Sequence, residues 1–64
     1  MDQAIELLEK QIRANTVEMK IIAFEYIRCE SVEYKNKLQR TFKKIEQQNL
    51  ALEKVIDKLL FLEA

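Results

Sequence analysis

The sequence predicts an all-α fold, an antiparallel helical hairpin of the coiled-coil type that pairs with a second copy as a homodimeric four-helix bundle. Three observations lead to this prediction. Apolar residues recur at intervals of three and four in two stretches, the two stretches do not share one phase, and the 64 residues include neither glycine nor proline. Two heptad stripes separated by a phase break are typical of two helices that fold back on one another.

The first helix is expected over residues 2–29. Its apolar residues follow heptad positions a and d, which face the neighbouring helix in a coiled coil. Opposite charges four residues apart, as at Glu6 and Lys10, support the helix on its solvent face. The a and d positions hold Ile5, Leu8, Ile12, Asn15, Met19, Ile22, Tyr26 and Cys29.

The second helix is expected over residues 32–62. Its apolar residues show the same alternation of three and four, so it is predicted to present the same kind of contact surface. The stripe occupies Leu38, Phe42, Ile45, Asn49, Leu52, Ile56 and Leu59.

A turn at residues 30–31 is predicted from the phase difference between the stripes. The step from position a at Tyr26 to the next a at Lys35 is nine residues. At about 100° per residue this is about two and a half turns, so one straight helix would place its stripes on opposite sides. Ser31 is a suitable N-cap for a following helix, and Glu33 would stand favourably in its first turn. We therefore predict a hairpin rather than a continuous rod, as one domain over residues 1–64.

Each stripe contains one asparagine, Asn15 in the first and Asn49 in the second. Folding the chain about residue 32 places residues whose numbers sum to 64 opposite each other, and the two asparagines then become partners. In a slipped register each amide would face hydrocarbon, at a cost of about 1–3 kcal/mol. We predict that Asn15 and Asn49 form a register-setting polar layer.

Self-association is the expected source of stability for so short a chain. A domain of this size buries only about 60% of the surface that its unfolded chain exposes. One cysteine and no histidine exclude a disulfide or a conventional metal site within the chain. A homo-oligomer is therefore predicted, with a dimer favoured.

A second apolar stripe on the first helix, Val17, Ile21 and Phe24, is the predicted oligomer or partner interface. These residues lie away from positions a and d, so the second helix of the same chain would leave them uncovered. Phe24 is expected to be the anchor, because an aromatic ring contributes the largest buried area.

The composition does not indicate an enzyme. Without histidine or glycine the chain lacks an imidazole base and a phosphate-cradling loop, and its carboxylates do not cluster. We expect neither catalytic residues nor cofactor or metal ligands. The longest apolar runs, residues 21–24 and 59–62, are far shorter than the roughly 20 residues of a membrane helix. A cytoplasmic protein without a membrane partner is predicted.

The predicted function is that of a small coiled-coil interaction module, a scaffold, adaptor or inhibitor that contacts itself and another protein. The alternative is a dimeric helical-hairpin regulator that binds RNA or DNA. Residues 35–44 hold five basic residues and no acid, and Lys37, Arg40 and Lys44 share one side of the second helix. Eleven basic and eleven acidic residues balance, so no overall field favours nucleic acid.

Overall fold

The computed structural model, which describes residues 2–63, consists of two α-helices that pack against each other. Helix α1 spans Asp2–Arg28 and helix α2 spans Val32–Glu63. The predicted helical hairpin is confirmed. The hairpin is 49 Å long, whereas one helix through all described residues would extend about 93 Å, so the continuous rod is excluded.

The helix ends differ by one residue from those expected. Helix α1 ends at Arg28 rather than at residue 29, and α2 continues to Glu63 rather than to residue 62. Cys29 has left the helix, and its thiol donates to the carbonyl oxygen of Ser31 at 3.5 Å. Within residues 2–63 no backbone φ is positive, so α1 ends without a left-handed cap.

Ser31 caps the N-terminus of α2. Its hydroxyl oxygen accepts a hydrogen bond from the backbone N–H of Tyr34 at 3.3 Å, and its carbonyl accepts from Lys35 N–H at 3.0 Å. These contacts satisfy amides that a helix start otherwise leaves free. Glu33 lies in the same first turn, where the helix dipole favours a negative charge. The cap therefore fixes where the chain turns into α2.

The core lies along the seam, the line of a and d positions where α1 and α2 meet. Each predicted a or d residue of the two stripes is buried or half-buried, with one exception. The exception is Tyr26, 39% exposed, whose ring lies 5.2 Å from the Lys35 ammonium. That lysine occupies position a near the turn, and the aromatic face can hold its charge while both side chains reach water. The best-buried cluster is Ile22, Leu38 and Ile45.

Replacing Ser31 tests the cap. Ser31→Ala removes the oxygen that accepts from Tyr34 N–H and should lower the free energy of unfolding by about 1 kcal/mol. Urea denaturation followed by circular dichroism measures the change. Ser31→Asp, which keeps an acceptor and adds favourable charge, should retain wild-type stability. Equal destabilisation by both substitutions would show that the cap is not the cause.

Candidate protein-interaction surfaces

The two long sides of the hairpin differ in the residues that flank the seam. On one side, position g of both helices comes together, because the Tyr34 hydroxyl donates to the Glu25 carboxylate at 3.2 Å. We call this the Tyr34 side. On the other side, position e of both helices comes together around Ala23, and we call it the Ala23 side. Each side is a surface on which another molecule can pack.

The structure brings Asn15 and Asn49 together inside the seam. The Asn15 Nδ2 donates to Asn49 Oδ1 at 2.8 Å and to Gln48 Oε1 at 3.1 Å. Gln11 Nε2 donates to Asn15 Oδ1 at 2.9 Å. Asn15 is only 4% exposed, so these bonds replace the water that its amide would otherwise bind.

Asn49 completes the same layer from α2. Its Nδ2 lies 3.5 Å from Thr16 Oγ1 and 3.9 Å from Met19 Sδ. Among the described residues no buried side-chain nitrogen or oxygen lacks a partner. The amides of Asn15 and Asn49 are thus hydrogen-bonded inside the seam. The contact between them agrees with the pairing expected from folding the chain about residue 32.

Sequence reasoning missed three members of this polar layer. Gln11 and Gln48 occupy position g and Thr16 occupies position e, next to the asparagines but outside the a and d stripes. An amide or hydroxyl at a flanking position beside a seam asparagine is the signal that could have identified them. Their side chains extend the layer from the seam to the surface.

Val17, Ile21 and Phe24 lie together on the outer surface of α1. They are 57%, 54% and 60% exposed, respectively. Leu7 and Ala14, both exposed, continue the line toward the N-terminus. The Arg28 guanidinium lies 5.3 Å from the centre of the Phe24 ring and shields part of it. We call Val17, Ile21 and Phe24 the apolar stripe.

A groove on the Ala23 side was not predicted from the sequence. It comprises two adjoining shallow cavities of about 350 Å³ and 420 Å³, and Ala23 and Phe42 line both. The small alanine at position e leaves the half-buried ring of Phe42 accessible from outside. Tyr26 and Ile27 line the end nearer the turn.

The basic side chains of residues 35–44 differ in their surroundings. Lys37, Arg40 and Lys44 are exposed along one side of the helix, as the alternative function requires. Lys35 belongs to the predicted basic stretch by sequence, but its ammonium lies over the Tyr26 ring at the turn end of the seam. The surface available to an anion is therefore shorter than residues 35–44.

The turn end holds two further polar side chains. The hydrogen bond from the Tyr34 hydroxyl to the Glu25 carboxylate, together with the negative charge of that carboxylate, raises the pKa of Tyr34 above its usual value. The Cys29 thiol is half-buried beside the Ser31 carbonyl. The first contact links α1 to α2 beside the turn, and the second lies within the connection itself.

No protein-family model matches the chain, and comparisons with curated proteins and with solved structures return no match either. In the part of the chain that the structure describes, neither helix has a stretch long and apolar enough to cross a membrane. Across residues 2–63 no group of three histidine, cysteine or acidic side chains is placed to hold a metal ion.

A double-mutant cycle tests the asparagine layer. Asn15→Leu leaves the Asn49 amide facing a hydrocarbon and should cost about 1–3 kcal/mol of unfolding free energy. Asn15→Leu with Asn49→Leu restores an apolar layer and should be at least as stable as wild type. Urea denaturation of the wild type, both single variants and the double variant gives the coupling energy. Strictly additive losses would contradict the pairing.

Proposed function

We propose that the chain is a small coiled-coil interaction module that assembles as a homodimeric four-helix bundle. It acts through protein–protein contacts, as a scaffold, adaptor or inhibitor. The observation that carries this proposal is the amount of surface that the hairpin leaves exposed.

The exposed area exceeds what a compact monomer of this mass presents. A 7.7 kDa globular protein should expose about 4,300 Å², whereas the hairpin exposes 5440 Å². The excess is roughly 1,100 Å², and a stable interface buries about 800 Å² on each partner. One copy therefore carries enough surplus surface for one interface of ordinary size.

The composition of that surface supports the same proposal. Among the residues that the structure describes, four apolar side chains are buried, whereas thirteen large apolar side chains remain exposed. No large side chain in the described part of the chain is fully buried. So small a core provides little stability, and a second copy would supply the missing burial.

The apolar stripe is the proposed contact surface. Its three residues follow one another at spacings of four and three, so they form one continuous line on α1. Burying this line against a second hairpin leaves the remaining helical surface of both copies facing outward. A paired hairpin with a long outer surface suits a scaffold or adaptor.

A charge in the apolar stripe should dissociate the assembly. Burial of an isoleucine side chain contributes about 1.5–3 kcal/mol, and two-fold symmetry counts it twice. Ile21→Glu should therefore raise the dimer dissociation constant by at least about 100-fold. Sedimentation equilibrium over a range of protein concentrations measures this constant.

Ile27→Glu is the matched control for that experiment. Ile27 lies on the same helix but lines the groove of the Ala23 side, and it is 78% exposed. The substitution adds the same charge and should leave the dissociation constant near its wild-type value. Dissociation by Ile27→Glu and not by Ile21→Glu would transfer the interface to the Ala23 side.

The alternative function, RNA or DNA binding, is favoured by one observation. Lys37, Arg40 and Lys44 are all exposed on α2, so a dimer would present the set twice. If nucleic acid is the ligand, the logarithm of affinity should fall with the logarithm of salt concentration by about 0.9 for each phosphate neutralised. Replacing the three residues with Gln should flatten that slope in fluorescence anisotropy. Absence of binding to hairpin RNA, duplex RNA and DNA at low salt would exclude this function.

A further inference from the structure

We infer that two copies pair through the Tyr34 side about a two-fold axis parallel to the hairpin, so that Glu18 and Glu25 of each copy meet the partner's Lys44 and Lys37. This inference rests on the proposed self-association and adds its symmetry and its ion pairs. It also assigns a role to two of the exposed lysines of α2.

Contacts within the hairpin define which residues belong to the Tyr34 side. Glu25 bonds to Tyr34, and Asn15 bonds to Gln48. Glu25, Tyr34 and Gln48 all occupy position g, so the g positions of α1 and α2 lie together. Position c follows next around each helix, which places Ile21 of α1 and Lys44 of α2 on the same side.

Charges on the Tyr34 side differ between the two helices. The acids at positions g and c are Glu18 and Glu25, and both belong to α1, which also carries Arg28 at position c next to the turn. The lysines are Lys37, Lys44 and Lys58, and all belong to α2. On the Ala23 side each helix mixes both signs. Away from Arg28 at the turn end, the Tyr34 side therefore has acids on α1 and lysines on α2, a pattern that is self-complementary when α1 of one copy lies beside α2 of the other.

The direction of the two-fold axis follows from this distribution of charge. An axis parallel to the hairpin places α1 beside the partner's α2, acid beside base. An axis across the hairpin would place α1 beside the partner's α1, so that acids would face acids and lysines would face lysines. Only the parallel axis brings opposite charges together.

The heights of the charges along the hairpin also match. Asn15 and Asn49 show that residues whose numbers sum to about 64 share a height. Glu18 therefore lies level with residue 46 and Glu25 with residue 39, in each case two residues from a lysine. Two residues correspond to about 3 Å along a helix, within the reach of a lysine side chain. A two-fold axis parallel to the hairpin preserves height, so both pairs would form at once.

Small and apolar residues also lie on this surface, together with the polar Gln11, Thr41 and Gln48. Ala14 lies within one residue of the height of Ala51, and both are exposed, so the two backbones can approach closely there. Leu7 lies near the height of Val55, and both are exposed large apolar side chains. Ile21 of the apolar stripe lies within this surface, and Val17 and Phe24, which occupy the neighbouring position f, border it.

Charge reversal tests the arrangement. Glu18→Lys with Glu25→Lys places like charges opposite each other in the dimer, and so does Lys37→Glu with Lys44→Glu. Each double variant alone should dissociate at least about tenfold more readily than wild type at low salt. An equimolar mixture pairs each reversed helix with its complement, so its dissociation constant should return to within about threefold of wild type.

Matched variants on the Ala23 side control for net charge. Glu46→Lys with Glu53→Lys, and Arg13→Glu with Lys20→Glu, change the charge by the same amounts. Each of these should remain dimeric alone. Sedimentation equilibrium reports assembly, and circular dichroism confirms that each variant stays helical. A chain carrying all four Tyr34-side reversals should again form homodimers, which separates lost pairing from lost folding.

The possible results distinguish failure of the ion-paired arrangement from failure of the proposed self-association. A wild-type chain that is monomeric at every concentration overturns both. Dimers that dissociate with Ile21→Glu but not with either Tyr34-side reversal keep the self-association and overturn the ion pairs and their symmetry. Loss of RNA binding by Lys37→Glu with Lys44→Glu in a chain that remains dimeric would also overturn them. In that case Lys37 and Lys44 would bind nucleic-acid phosphates rather than the carboxylates of a second copy.

Discussion

The amide layer inside an otherwise apolar seam is the constraint on which the rest of the hairpin depends. Asn15 donates to Asn49 at 2.8 Å, and Asn15 is almost completely buried. A slip of one heptad would place Asn15 opposite Phe42 or Ile56 and leave a buried amide without a partner. Register decides which residues of α1 and α2 share a height, so the contacts between the helices and the charge pairs proposed for the dimer all depend on this alignment.

Two helices can bury only one stripe each, and this limit shapes the surface of the molecule. Its cross-section is 14 by 11 Å, so most side chains have water on at least one side. The chain nevertheless carries further apolar residues on α1 and near the end of α2, which a lone hairpin cannot cover. In the proposed assembly, burial of these residues by a second copy would offset the entropy of ordering so long and thin a structure.

The turn and the two sides of the hairpin are linked. Ser31 caps α2 immediately after the reversal, so α2 begins at Val32. The packing of α2 on α1 places Glu25 beside Tyr34 on one side and leaves the groove around Ala23 on the other. One side consequently has its acids on α1 and its lysines on α2, with Arg28 at the turn end, whereas the other side has mixed charges on each helix and a groove.

Local periodicity determined the two helices, the residues of the seam, the break near Ser31 and the alignment of Asn15 with Asn49. These features are readable from the sequence because the faces of a helix depend only on the spacing of residues along the chain. The tertiary structure decided how Gln11, Gln48 and Thr16 join the amide layer, why Lys35 turns to Tyr26, and where the groove beside Phe42 opens. Those features depend on side-chain size and on distances between helices, which spacing along one chain does not specify.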